Sequence, residues 1–303
     1  MKGNIMATHQ ARRRHTVLAS GLAALALVVG FTASPATAAP PPPVNYVALG
    51  DSYTAGTGAG DLAGPIPAIP CWQSAGGYVD IAGASARVAL IDNAACHGAF
   101  LGPIGTSTPV VQQIAELSGA ALNSETDLVS ITAGALDAGS GLALQACASP
   151  DTQSCAVIVA GIIQNLGIVE AALEGTYQSI QFAAPNATIA VLGYPRLFDP
   201  SEGDIVLGGA TVVPVANQIL VNQAVDALNA TIAKAVAESG TNAVFVDVAK
   251  RFTGHAVNSD NPWIVLDLTQ PLLDANFHPN DAGHRAYASA LLSSVKLTQL
   301  AKR

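Results

Sequence analysis

Five short apolar, β-branched segments recur along this chain: Val44–Leu49, Val88–Ile91, Leu128–Thr132, Thr188–Leu192 and Ala243–Val248. Their length and composition read as strands. The stretches 109–118, 155–183, 215–238 and 282–293 between and after them read as helices, the last two amphipathic. Strands that alternate with helices imply parallel βαβ units, because a parallel neighbour is reached only by a crossover. The expected fold class is therefore α/β, a three-layer α/β/α domain on a mainly parallel, roughly five-stranded sheet. No internal repeat and no second linker interrupts it, so residues 44–303 are expected to form one domain.

What precedes that domain has the pattern of a targeting segment. Lys2 and Arg12 to Arg14 form a basic leader, Val17 to Phe31 is uncharged and apolar, and Ala36-Thr37-Ala38 offers small residues for cleavage. The apolar stretch is shorter than the roughly 20 residues of a spanning helix. Residues 1–38 are accordingly expected to be a signal peptide, with no stable membrane insertion, and 39–43 a proline-rich extended tether. The leader holds four of the 13 Lys and Arg residues and no acid, so the remainder is more acidic than the whole-chain net charge of −8. That balance excludes nucleic acid and anionic membrane as main partners. A monomer is the default expectation.

Export places the four cysteines in an oxidising compartment, where they are expected to pair. Three pairings are open. Cys71–Cys96 with Cys147–Cys155 is favoured, since each joins nearest neighbours. No Cys-x-x-Cys spacing or Cys/His cluster points to a metal, and no cofactor is expected.

The chemistry centres on Gly50-Asp51-Ser52-Tyr53-Thr54-Ala55-Gly56, directly after the first strand. A serine just beyond a strand's C-terminal end stands where open α/β sheets bind ligands, and the glycines permit a sharp turn. A free hydroxyl is a poor nucleophile and needs a base within hydrogen-bond reach. His97, His255, His278 and His284 are the histidines beyond the leader. His278, in a loop before the last helix, is the best base candidate; the other three are assigned to surface or packing roles.

Gly50-Asp51-Ser52, Cys96-His97-Gly98-Ala99, Asp127 to Gly139, and His278-Pro279-Asn280 with Gly283-His284 follow in the order found in the GDSL/SGNH hydrolases. The chain resembles secreted actinobacterial lipases and esterases of that family over essentially all of the exported part. The resemblance implies an SGNH-hydrolase, flavodoxin-like fold and hydrolysis of small-molecule or lipid esters without a cofactor. It implies Ser52 as nucleophile, His278 as general base, and the backbone N–H groups of Ser52 and Gly98 as oxyanion donors. Two positions depart from the family pattern. Leu136 stands where an Asn side chain usually completes the oxyanion site, and leucine donates no hydrogen bond. Ala275 stands where an Asp usually orients the histidine, with a carboxylate one place earlier at Asp274. Either a bulged loop brings Asp274 to His278, or a backbone carbonyl orients the imidazole. The departures keep a second expectation open, a weakly active or inactive binding or cell-wall-associated module on a hydrolase scaffold. Leu62, Ile66, Ile69, Trp72, Leu101 and Ile104 are candidates for an acyl groove and equally for a packed core.

Overall fold

In the computed structural model, which describes residues 41–60, 62–63 and 71–300, five parallel strands form the central sheet. They are β1 (Val44–Gly50), β2 (Val88–Asn93), β3 (Leu128–Thr132), β4 (Thr188–Leu192) and β5 (Ala243–Val246), in the spatial order β2-β1-β3-β4-β5. The order reverses between β1 and β3, and such a switch point opens a crevice at the carboxyl ends of the strands. β1 and β3 run in register from Tyr46 opposite Leu128 to Gly50 opposite Thr132. Every residue of β3 is buried, as a central strand covered on both faces requires.

Helices cover the two faces: α1 (Tyr78–Gly83), α2 (Val110–Leu117), α3 (Ser140–Cys147), α4 (Thr152–Ala183), α5 (Val215–Glu238) and α6 (Asp281–Ser294). The short α1 and α3 lie outside the stretches whose composition reads as helix. α4 is long and apolar enough to cross a membrane by composition alone. Here, however, its residues Val159, Leu166, Val169, Leu173, Tyr177 and Ile180 lie in the core. Disulfides Cys71–Cys96 and Cys147–Cys155 are formed; the second ties the end of α3 to the start of α4. A two-stranded antiparallel hairpin (Ile205–Leu207 with Ala210–Val213) precedes α5. The expected signal peptide and Ala39–Pro40 of the tether lie outside the described residues, and Pro41–Pro43 is exposed without regular structure.

The turn after β1 is built by its neighbours. Gly50 has φ 127°, and a Cβ there would stand 2.2 Å from the Thr132 carbonyl oxygen, so only glycine passes. The Gln113 side chain, buried at the start of α2, accepts from the Gly50 N–H at 2.8 Å and donates to its carbonyl at 3.0 Å. Asp51 N–H then donates to the Thr132 carbonyl. These bonds satisfy the last backbone groups of β1 and release the chain toward the crevice.

Candidate active site

Ser52 follows this turn, nearly buried, and its Oγ lies 2.7 Å from His278 Nε2. His278 arrives from the far end of the chain. Asn280 caps α6, its side chain accepting from the Ala282 and Gly283 N–H groups, and Phe277 N–H and the His278 carbonyl pair with Val265. Burial pushes the His278 imidazole down to about 3, with His97 adding to the effect. The ring is therefore neutral near pH 7, and a neutral imidazole at this distance can accept the hydroxyl proton.

The other ring nitrogen settles the alternative left open by the sequence. His278 Nδ1 lies 3.0 Å from the main-chain carbonyl of Asn276, and the Asp274 carbonyl also favours the charged ring. The Asp274 carboxylate does not reach His278: it is largely exposed, with Oδ1 3.7 Å from His97 Nε2. The expectation that Asp274 orients the histidine as an acid is thus corrected. Phe277, between the carbonyl and the imidazole it serves, has φ 62°, the one positive φ among described non-glycine residues. This left-handed step folds the Asn276 carbonyl back toward the ring. It is held by Tyr53 Oη, which donates to the Phe277 carbonyl at 2.7 Å, and by Phe277 N–H donating to the Val265 carbonyl.

Gly98 lines the same cavity as Ser52, at φ 77°, and neither backbone N–H donates to a protein acceptor among the described residues. Two amides without a protein acceptor, on residues that line one cavity, are the kind of donors an oxyanion requires. Leu136 also lines the cavity, so the position where the resemblance expects a third donor carries an apolar side chain. Asp137, next to it, accepts from the Leu101 N–H at 3.1 Å with both oxygens and is occupied as a loop anchor.

Beneath the serine lies a buried charge. Asp51, 2% exposed, accepts from Thr132 Oγ1 at 2.7 Å, from Tyr53 N–H at 3.1 Å and from Tyr194 Oη. Burial raises its carboxyl from 3.8 to about 6 against the lowering effect of these donors. Thr132 continues the network to Thr54, Tyr78, Ser130 and Tyr46. The remaining histidines divide. His255 stacks on Trp263 at 3.6 Å, and the buried His284 accepts from Tyr78 N–H and faces the Thr57 carbonyl, both packing roles. His97 instead lines the cavity. The sequence signal for this position is its place directly before Gly98.

The cavity has a volume of about 320 Å³. Much of its wall is apolar, with Leu136, Leu144, Leu197, Val225 and Leu228, and an apolar recess of about 60 Å³ continues to Ile162 and Val221. Trp72, Leu101 and Ile104 do not line this cavity: Leu101 is buried in the core, the other reading the sequence left open, and Trp72 and Ile104 are exposed. Ile66 and Ile69 lie outside the described residues, as does the side chain of Leu62. Among the described residues one acidic group, Glu170, Glu174 and Glu238, has the spacing to hold a cation, but Lys234 already pairs with Glu170 and Glu238 there.

An α/β sheet with a serine–imidazole pair and amides without protein acceptors beside a largely apolar cavity is the arrangement of a carboxylic ester hydrolase, and the relatives agree. Residues 48–286 match the model of the GDSL-like Lipase/Acylhydrolase family. A lipase of Streptomyces rimosus is 33% identical over 289 residues, spanning 93% of this chain and 98% of that one. The crystal structure of phospholipase A1 from Streptomyces albidoflavus superposes with a TM-score of 0.68 at 30% identity, covering 82% of this chain and 98% of that one. An extracellular lipase structure from Streptomyces rimosus gives 0.67 at 29% identity, covering 83% and 100%. The chain belongs to the GDSL-like lipase/acylhydrolase family, and it is a carboxylic ester hydrolase.

Proposed function

We propose that this protein is a secreted serine esterase or lipase that works through an acyl-enzyme on Ser52. The observation that carries the reading is the 2.7 Å approach of Ser52 Oγ to a neutral His278 Nε2 inside a largely apolar cavity. Ser52 Oγ attacks the ester carbonyl while His278 takes its proton. The negative charge that develops on the carbonyl oxygen is met by the Ser52 and Gly98 N–H groups. The His278 imidazolium then protonates the departing alkoxide and leaves an ester on Ser52. Water enters, gives a proton to His278, attacks the acyl carbon and regenerates Ser52 with release of the acid. The Asn276 carbonyl holds the imidazole in the tautomer with Nε2 free to accept, and faces the Nδ1–H of the imidazolium.

A carbonyl carries only a partial charge, and Leu136 supplies no donor, so turnover is expected to be slow for the family. Loss of one oxyanion donor costs about 100- to 1,000-fold in turnover. The apolar recess favours an acyl chain over acetate. Export is supported by the leader pattern and by two disulfides in the exported part. The test is hydrolysis of p-nitrophenyl acetate, butyrate and octanoate by the purified protein and by Ser52→Ala. The wild type should turn over, prefer the longer acyl chains, and lose activity to the uncatalysed rate with Ser52→Ala. Equal rates for the two proteins would overturn the reading and favour the binding-module alternative that Leu136 motivates.

A further inference from the structure

Beside the Ser52–His278 pair the cavity holds a second imidazole that the reaction above does not use. His97 is fixed from several directions. Its Nδ1 lies 3.0 Å from Thr57 Oγ1, on the turn that carries Ser52. Its Nε2 lies 3.7 Å from Asp274 Oδ1, on the loop that carries His278. Its N–H donates to the Trp72 carbonyl, and Cys96 beside it is bridged to Cys71. The ring stands 5.7 Å from that of His278, and the next residue is Gly98.

We propose that His97 and Asp274 are positioning residues for acylation: neutral His97, held between Thr57 and Asp274, steadies the Gly98 turn and permits His278 to take the Ser52 proton, whereas charged His97 opposes that transfer. The proposal rests on the Ser52–His278 reading above. Its physical basis is that His278 must become an imidazolium during attack, and a second cation 5.7 Å away resists this. At an effective dielectric near 20 the repulsion amounts to about 100-fold in rate, and to about tenfold where the Asp274 carboxylate offsets half of it. The charged or titratable groups facing His97 are Asp274 from the His278 loop and His278 itself. Of the other acids around the cavity, Asp51 is engaged by Tyr194 and Thr132, and Asp137 by Leu101 N–H. Burial moves the His97 imidazole below its ordinary 6.5, and Asp274 works in the opposite direction. Activity is therefore retained above the His97 midpoint and lost as pH falls through it, before His278 itself protonates.

The experiment is the pH profile of kcat/KM on p-nitrophenyl butyrate between pH 4 and 8, for the wild type, His97→Gln and Asp274→Asn. Ser52→Ala serves as the blank, and rates are taken where circular dichroism shows the fold intact. The wild type should lose about 10- to 100-fold with a midpoint below 6.5. His97→Gln should abolish that limb, and Asp274→Asn should move it to lower pH. A limb that persists unchanged in His97→Gln belongs to another group, Asp51 foremost, and overturns the proposal. Should His97→Gln not fold, the proton NMR titration of His97 in the wild type and Asp274→Asn decides: a lower midpoint in the variant supports the pair, and an unchanged one overturns it. Turnover by Ser52→Ala at the wild-type rate would overturn the reaction itself and this inference with it. A dead Ser52→Ala with an unmoved limb overturns the inference alone.

Discussion

Asp51→Asn tests whether the turn under Ser52 stores an electrostatic cost. The carboxylate is 2% exposed and titrates at about 6 in the folded protein, against 3.8 for an unburied aspartate. The native state therefore holds this proton more tightly than the unfolded chain does. The stability that comes with the protonated form is fully present below about pH 4. It is lost as pH rises through about 6, which at 1.36 kcal/mol per tenfold in proton affinity amounts to about 3 kcal/mol. Asparagine is neutral throughout and has no such dependence. Urea unfolding of the two proteins at pH 4, 5, 6 and 7.5 measures the difference directly, and comparing the pair cancels the other titrating groups. Relative to wild type, the variant should gain about 2.4 kcal/mol between pH 4 and pH 7.5, because the unfolded chain is already partly ionised at pH 4. Its absolute offset at pH 4 reports the altered bonds to Tyr53 N–H, Thr132 and Tyr194. A relative gain below about 1 kcal/mol would mean that these three donors compensate burial, and the reasoning would be wrong.

Two further substitutions probe the supports of the proposed reaction. Leu136→Asn restores a side-chain donor beside the Ser52 and Gly98 amides and should raise kcat about 10- to 100-fold on p-nitrophenyl butyrate. A folded variant with unchanged kcat would show that position 136 is not aimed at the oxyanion. Tyr53→Phe removes the 2.7 Å bond that holds the Phe277 carbonyl. It should lower kcat with little change in KM and cost about 1 kcal/mol in urea unfolding, since a partly buried carbonyl loses its partner. A stability loss without any kcat loss would mean that the left-handed step at Phe277 does not govern the aim of His278.

Much of the fold was legible because burial periodicity is local. The five strands fall where short β-branched runs predict them, and Thr188–Leu192 and Leu128–Thr132 match to the residue. α1 and α3 were not legible: six- and eight-residue helices carry too few turns to show a period, and tertiary packing decides them. The meeting of Ser52 and His278 was readable as an expectation, since a strand-end serine between glycines and a loop histidine before a capped helix each have a residue-level signature.

The support of that pair was decided elsewhere. A main-chain carbonyl exists at every position, so no side chain announces that Asn276 rather than Asp274 faces His278 Nδ1. Phe277 gives no warning of a positive φ, because only long-range bonds to Tyr53 and Val265 hold it there. Leu144 of α3 and Val225 and Leu228 of α5 join Leu136 and Leu197 in the apolar wall because helix packing, not nearness in sequence to Ser52, sets what faces the cavity. The sequence by itself determined the sheet and marked Ser52 and His278 as the candidate pair, through hydrophobic pattern, turn chemistry and motif order. Which carbonyl faces His278 Nδ1, which residues wall the cavity and what lies beside the Asp274 carboxylate are set by long-range contacts, and only tertiary packing decides those.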